Sequence, residues 1–307
     1  MTTLIKSVAF GALLSGLAGA AAAQISFDGA VTLGYAWGEG KGQLDGAPDI
    51  NAPTLDVAGT LSFGNGFDLG MGLTVGTLDI DGVSTDLDLS YVGLTPTYTF
   101  SNGAYVGVYA ERTKLDLGFA DASATSFGLL GGYTTGAMDV SAFIGQTETD
   151  PDLPSGVDVT DWGVSGTYLV SEDLLVGGGL ARSRLDMSGT EIDMDMLKIG
   201  AAYDYNGFTV FGGGAFGSVE VVDVTILGVG VAYDMSSMIN MPLSASVEYT
   251  SNEIDMLGTD GGYDVWKFGL TFPLGDKSGP VVPQNSVAAG AFDPRSNSLL
   301  DAINTAF

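Results

Sequence analysis

Apolar residues alternate with small or polar residues along most of this chain, in stretches of about ten residues separated by turns. In residues 25–37 the large side chains, from Ile25 to Trp37, fall on one face, and Ser, Asp, Thr, Gly and Ala fall on the other. A period of two is typical of a β-strand whose two faces meet different environments. The same alternation recurs at residues 55–63 and 243–250, so the pattern predicts a protein built of β-strands.

Turn-forming residues divide these strands into antiparallel hairpins. Six short connections lie at residues 64–67, 101–103, 134–138, 171–173, 205–208 and, slightly longer, 236–242. The connections at the opposite strand ends are predicted to be longer and more acidic, and they lie near residues 39–52, 79–86, 117–123, 148–157, 187–192, 220–223 and 253–262. This spacing predicts an all-β fold of about 14 strands, with about 12 or 16 as alternatives, and places both chain ends on the short-turn side.

The first 23 residues have the features of a secretory signal peptide. Lys6 precedes a mostly apolar run at residues 8–17, and three alanines at residues 21–23 form a small-residue cleavage site. A membrane-spanning helix is the alternative, but the apolar run is shorter than the roughly 20 residues that cross a bilayer. We therefore expect a signal peptide at residues 1–23 and a mature chain that begins at Gln24.

Composition narrows the possible functions. The formal net charge of −27 argues against binding of nucleic acid, because the phosphate backbone attracts basic proteins. Since the chain contains no Cys, no disulfide can stabilise it in an oxidising compartment. The absence of His and Cys also removes the usual general base and the thiol nucleophile, so no enzymatic activity is expected. No cofactor and no metal site is predicted.

The distribution of side chains between the two strand faces favours a membrane protein over a soluble, secreted β protein. Nearly every strand has an apolar face, whereas the opposite face carries mostly Gly, Ser, Thr, Ala and Asp. A transmembrane antiparallel β-barrel explains this pattern, because its apolar face meets lipid and its polar face meets a wet lumen. Aromatic residues near strand ends are predicted to form the interfacial girdles; they are Tyr35, Trp37, Phe63, Phe67, Phe100, Tyr105, Tyr203, Phe208, Tyr249, Trp266 and Phe272.

The last predicted strand carries the residues of a short motif, Lys267, Gly269, Phe272 and Leu274. With the signal peptide and the repeated hairpins, this motif resembles the Gram-negative outer-membrane β-barrels, and most closely the porin-like family. The resemblance implies a barrel at residues 24–274 in the outer membrane and an assembly signal, read by the barrel assembly machinery, at the four motif residues. It also implies contact with outer-membrane lipid and lipopolysaccharide, and a possible homotrimer.

The chain departs from that family at three points. A tail follows the closing strand at residues 275–307, whereas members of the family usually end on the closing strand. Pro273 lies inside the motif, where it is tolerated only at a strand end or edge. General porins fold a long third loop into the lumen, and no predicted loop of this chain has the length to do so.

The resemblance implies an outer-membrane porin that acts as a passive diffusion channel for small solutes or ions, and the acidic loops favour cations. The alternative is a non-conducting structural or adhesive barrel whose lumen is closed by the tail or by inward side chains. Alternation places four charged residues on the lumen face as pore-lining candidates: Asp56, Lys198, Glu248 and Lys267.

Acidic residues concentrate on the predicted outer side of the barrel. The proposed outer rim consists of Asp79, Asp81, Asp86, Asp88, Glu148, Asp150, Asp152, Asp193, Asp195 and Asp255. Such a rim could draw cations toward the mouth of a channel, or it could be a solvated surface that serves only solubility. The glycine cluster at residues 212–214 is interpreted as a place where strands approach closely, since no helical pattern follows it.

The tail has two predicted locations. Gly275, Pro280 and Pro283 end the closing strand and favour an extended linker, after which Ser298 could cap a short helix. We expect these residues to form a periplasmic tail, and a plug inside the lumen is the alternative.

Overall fold

The computed structural model describes residues 25–83, 85–118, 120–153, 157–187, 190–275, 279–293 and 297–306. The predicted signal peptide lies outside the described residues. Within the described part of the chain, no helix combines the length and the apolar character needed to cross a membrane.

Over the described residues, fourteen antiparallel strands form one closed barrel, which confirms the predicted fold class and strand number. The strands are β1 Ser26–Gly42, β2 Ile50–Ser62, β3 Phe67–Ile80, β4 Leu87–Thr99, β5 Ala104–Asp116, β6 Asp121–Thr134, β7 Met138–Asp150, β8 Val157–Ser171, β9 Leu174–Met187, β10 Thr190–Tyr205, β11 Phe208–Val219, β12 Val222–Asp234, β13 Ser244–Met256 and β14 Thr259–Leu274. Each strand pairs with its neighbours in sequence, and β1 pairs with β14. Closure therefore leaves no strand edge unpaired, as a lipid environment requires.

The hairpin turns follow from local backbone chemistry. Asn206 and Gly207 join β10 to β11 with φ values of 51° and 81°, which is the positive-φ pair of a type I′ turn. At the opposite ends of the strands the connections are shorter than predicted; residues 220–221 and 257–258 are two-residue links. The strands continue through acidic positions that the sequence analysis assigned to loops, because exposed carboxylates at strand ends remain solvated while the backbone stays paired.

The outer wall is apolar and the inner wall is built of small or polar residues. Leu129 and Val229 are 62% and 60% exposed in the middle of their strands, whereas Thr32 and Thr271 are fully buried on the inner face. Aromatic pairs such as Phe208 with Tyr233 lie near the strand ends of the outer wall. Tyr105 was predicted to belong to the girdle, but this prediction is wrong, since its hydroxyl donates to Asp139 inside the barrel.

In the described part of the chain, three short helices lie outside the strands. Helix α1, Ser236–Ile239, is part of the connection between β12 and β13. Helices α2, Val287–Phe292, and α3, Ser298–Ala306, belong to the tail and pack against the inner faces of β8 to β12. The predicted cap at Ser298 is displaced by one residue, because the side chain of Asn297 accepts the hydrogen bond from the backbone N–H of Leu300.

The described tail residues lie inside the barrel rather than beyond its periplasmic end. Val282, Val287 and Ala288 are buried, and Ala288 belongs to an apolar cluster with Ala202 of β10 and Phe211 of β11. Of the two locations considered from the sequence, these contacts correspond to the one inside the lumen. The interior has room for such a segment, because barrel diameter grows with strand number and side chains alone fill only the much narrower barrels of about 8 strands.

Candidate channel interior

Glycines on the inner wall form a seat for helix α2. A Cβ atom added to Gly213 of β11 would lie 3.3 Å from the Cα of Ala288, and one added to Gly228 of β12 would lie 2.8 Å from a methyl carbon of Val287. At Gly200 of β10 the added Cβ would lie 3.0 Å from the Cβ of Ala291. The absence of side chains on three adjacent strands lets the helix backbone approach the wall closely.

A buried ion pair fastens helix α3 to the wall. Lys198 Nζ of β10 lies 2.6 Å from Asp301 Oδ1, and the two side chains are only 2% and 3% exposed. The same ammonium donates to Thr305 Oγ1 at 2.6 Å. Since a buried charge is costly unless it is paired and hydrogen-bonded, the two partners hold each other in place.

Lys267 and Glu248 make further contacts with the tail. Lys267 Nζ of β14 donates to the backbone oxygens of Asn285 at 3.2 Å and of Thr305 at 3.1 Å. Glu248 Oε1 of β13 accepts from the backbone N–H of Val287 at 3.1 Å, at the first residue of helix α2. A carboxylate at this position satisfies a helix N–H that has no partner within the helix and also complements the helix dipole.

Asp161 was not among the predicted lumen candidates. Its carboxylate accepts from Thr147 and Ser183 on the wall, both at 2.5 Å, and from Asn297 Nδ2 of the tail at 2.9 Å. The sequence analysis did not assign Asp161 to either face of the barrel. The alternation within β8 predicts its position, because residues two apart on a strand lie on the same face and Val159 faces the lumen.

Asp56, the fourth pore-lining candidate, lies beside the tail. Thr54 Oγ1 donates to Asp56 Oδ2 at 2.8 Å, and both side chains are buried. They line a small cavity of about 50 Å³ together with Asn285 and Ser286. The structure therefore places all four candidate side chains on the inner wall, where Lys198, Glu248 and Lys267 form hydrogen bonds with the tail.

The tail leaves a larger space along the other side of the lumen. This cavity of about 670 Å³ lies between the tail and the inner faces of β1 to β9, and we call it the side passage. Its lining includes five carboxylates, those of Asp28, Asp68, Glu111, Asp139 and Asp293. No Lys or Arg is present among the described residues that line it. The side passage is therefore an acidic cavity.

Aromatic rings on the wall of the side passage lie over glycines. The hydroxyl of Tyr109 would be 2.1 Å from a Cβ added to Gly145, and that of Tyr91 would be 2.2 Å from one added to Gly93. Phe143 stands edge-on to Tyr109, with the ring centroids 5.9 Å apart. A larger residue in place of either glycine would push its ring toward the lumen, so the glycines keep the passage open.

The predicted rim residues lie at the outer ends of the strands. Asp79, Asp81, Asp86, Asp88, Glu148, Asp150 and Asp152 are exposed, and Asp193, Asp195 and Asp255 are partly buried. Two of them are compensated by arginine: Arg182 Nε lies 2.6 Å from Asp195 Oδ1, and Arg184 Nε lies 2.7 Å from Asp193 Oδ1. Among the described residues, no group of three or more potential ligands is arranged to hold a metal ion.

The residues of the predicted assembly signal lie on both faces of β14. Lys267 and Gly269 face the lumen, where a Cβ added to Gly269 would lie 2.5 Å from Ser246 Oγ. Phe272 pairs with Val31 of β1, and Leu274, the last residue of β14, pairs with Gly29. Their recognition by the assembly machinery stays a prediction.

The closed antiparallel barrel, with its apolar outer wall and polar interior, defines a transmembrane β-barrel. Residues 44–188 match the family model described as "Gram-negative porin". The matched segment, just under half of the chain, belongs to this family of Gram-negative outer-membrane β-barrels, whose members are channels rather than enzymes. Its location is the bacterial outer membrane.

Solved structures support the fold. The monoaromatic hydrocarbon channel TodX, in a deltaS2 mutant, is 10% identical with a TM-score of 0.52, and the match covers 84% of this chain and 91% of that one. The anion-selective porin from Comamonas acidovorans is 11% identical with a TM-score of 0.50, and the match covers 82% of this chain and 100% of that one. No curated protein matches the chain. At these identities the likeness shows the fold alone.

Proposed function

We propose that this protein is a passive diffusion channel that prefers cations or small neutral solutes, and that solutes cross through the side passage between the tail and the wall. The observation that carries the proposal is the side passage itself, with five lining carboxylates and no basic residue among the described ones. Charged side chains that line a lumen set ion selectivity. The carboxylates of the outer rim would add to the same effect, because they raise the concentration of cations at the mouth.

The polar interior also suits passage of small solutes rather than tight binding of one of them. Threonine and serine side chains line the wall together with glycines, for example at Thr95, Thr97, Ser141 and Ser165. These hydroxyls can exchange hydrogen bonds with water and with hydrated solutes. Conduction requires interactions of this kind, strong enough for entry and weak enough for release.

Neutralising one carboxylate of the side passage should lower the preference for cations. For Glu111→Gln we expect the cation-to-anion permeability ratio to fall by about fivefold, because a unit charge about 4 Å from an ion contributes about 1 kcal/mol in water. The measurement is the reversal potential of single channels in a planar bilayer under a salt gradient. Glu172→Gln is the matched control, since Glu172 is exposed in the turn between β8 and β9. An equal shift in both variants, or none in Glu111→Gln, would contradict the assignment of the passage.

The position of the tail favours a second candidate function, a structural or adhesive barrel that does not conduct. In that case the tail would close the lumen and the side passage would not reach through the barrel. Purified, refolded protein that inserts into bilayers but gives no conductance steps would support this alternative and reject the channel.

The partners remain predictions. We expect lipopolysaccharide and outer-membrane lipid around the outer wall, recognition of β14 by the barrel assembly machinery, and a possible homotrimer. The apolar outer wall is consistent with lipid contact. Cross-linking of the protein in native outer membranes tests the trimer directly.

A further inference from the structure

The two halves of the lumen are built differently. On the side of β9 to β12, glycines leave a seat that the backbone of helix α2 fills. On the side of β3 to β7, the wall keeps its aromatic and hydroxyl side chains and faces open space. The tail therefore occupies the side of the interior formed by β9 to β12, where the glycines of the wall make room for it.

Both parts of the tail are held by buried charge. Glu248 holds the start of helix α2, and Lys198 holds helix α3 through Asp301. Lys267 binds backbone oxygens from both parts, at Asn285 and at Thr305. Lys198, Glu248 and Lys267, all predicted to line the pore, are thus engaged by the chain's own C-terminal segment.

Resting on the proposed channel function, we infer that the described tail residues, 280–293 and 297–306, are a resident plug that narrows the channel, and that the Lys198–Asp301 ion pair with Lys267 and Glu248 retains it in its glycine seat. Release of the plug opens the whole lumen. The side passage is the conducting path while the plug is docked, and the full barrel interior is the path after its release.

The chain offers a direct test because it contains no native Cys. In the variant Gly200→Cys/Ala291→Cys, the two Cβ atoms would start about 3.0 Å apart. A disulfide needs about 3.5 to 4.5 Å between its Cβ atoms, so a shift of about half an ångström allows the bond. The cross-link ties helix α2 to β10. Gly228→Cys/Val287→Cys is a second pair with the same Cβ separation if the first does not fold.

The cross-link is combined with Asp301→Asn, which removes one partner of the buried ion pair in the full chain. Under reducing conditions we expect openings to a conductance about twofold larger or more, because the plug then leaves a wider pore. After oxidation these openings should disappear, and they should return on reduction. The corresponding single-Cys variants with Asp301→Asn cannot form the bond and should not respond to oxidation.

Three results would overturn the inference or separate it from the channel proposal. If the cysteines of a folded barrel do not form the disulfide on oxidation, the tail is not docked as inferred. If the oxidised and reduced proteins show the same conductance levels, the tail is not a releasable plug. If the protein gives no conductance in any state, the proposed channel function itself fails.

Discussion

Replacement of Val229 by Arg should destabilise the folded barrel in lipid by about 2 to 4 kcal/mol, the cost of an arginine near the bilayer midplane on a lipid-facing wall. Val229 is 60% exposed on the outer face of β12, between Leu227 and Val231 on the same face. Exposure of this apolar side chain would be unfavourable in water, whereas it is favourable in the hydrocarbon of a bilayer. We expect a lower free energy of unfolding in denaturant titrations of protein reconstituted in vesicles.

The control is Thr225→Arg on the same strand and the same face. Thr225 lies closer to the outer end of β12 and opposite Glu253 of β13. An arginine near the interface costs about 0 to 1 kcal/mol, so the free energy of unfolding should change little. Equal destabilisation by both substitutions would mean that the wall at Val229 does not face hydrocarbon, and it would contradict the membrane orientation of the whole barrel.

The alternation of residue types predicted the wall of this protein but not the contents of its lumen. Alternation fixes the side of a strand on which a residue lies, and it placed Lys198 and Lys267 on the inner face. It carries no information on the partner, because Lys198 and Asp301 are separated by 103 positions in the sequence. Only the folded chain brings such residues together.

The glycine cluster at residues 212–214 shows a related limit. A Cβ added to Gly212 would lie 2.9 Å from the backbone oxygen of Gly228, which is the close strand contact that the sequence analysis inferred. At Gly213 the added Cβ would also meet Ala288 of the tail. The pattern showed that no side chain fits at these positions, but it could not show whether a strand or a helix fills the space.

The sequence of the tail predicted its local structure but not its location. Pro280 and Pro283 predicted an extended linker, and a short helix was predicted near its observed start at Ser298. Helix α3 has apolar residues and one buried acid, Asp301, and the same composition would suit a helix in the periplasm. The ion pair with Lys198 accounts for the location of the helix in the lumen, since an isolated acid at this position would not remain buried and charged.

Replacement of Lys198 by Met should release the tail. The substitution keeps an unbranched side chain against helix α3 but leaves the carboxylate of Asp301 buried without its cation. Removal of one partner from a buried ion pair costs about 3 to 5 kcal/mol. Since every 1.4 kcal/mol changes an equilibrium tenfold, the released population should rise by roughly a hundredfold or more.

Native-state proteolysis measures this population, because cleavage follows the open form when reclosing is fast. Thermolysin, which cleaves before apolar residues, should cut Lys198→Met in the tail at Val287 or Leu300 much faster than the wild type, since both residues are buried when the tail is docked. The double variant Lys198→Met/Asp301→Leu is the control: replacing a buried ion pair by apolar residues of similar volume is often neutral or stabilising, so the wild-type cleavage rate should return. If the double variant is cleaved as fast as Lys198→Met, then packing of the lysine, rather than its charge, retains the tail.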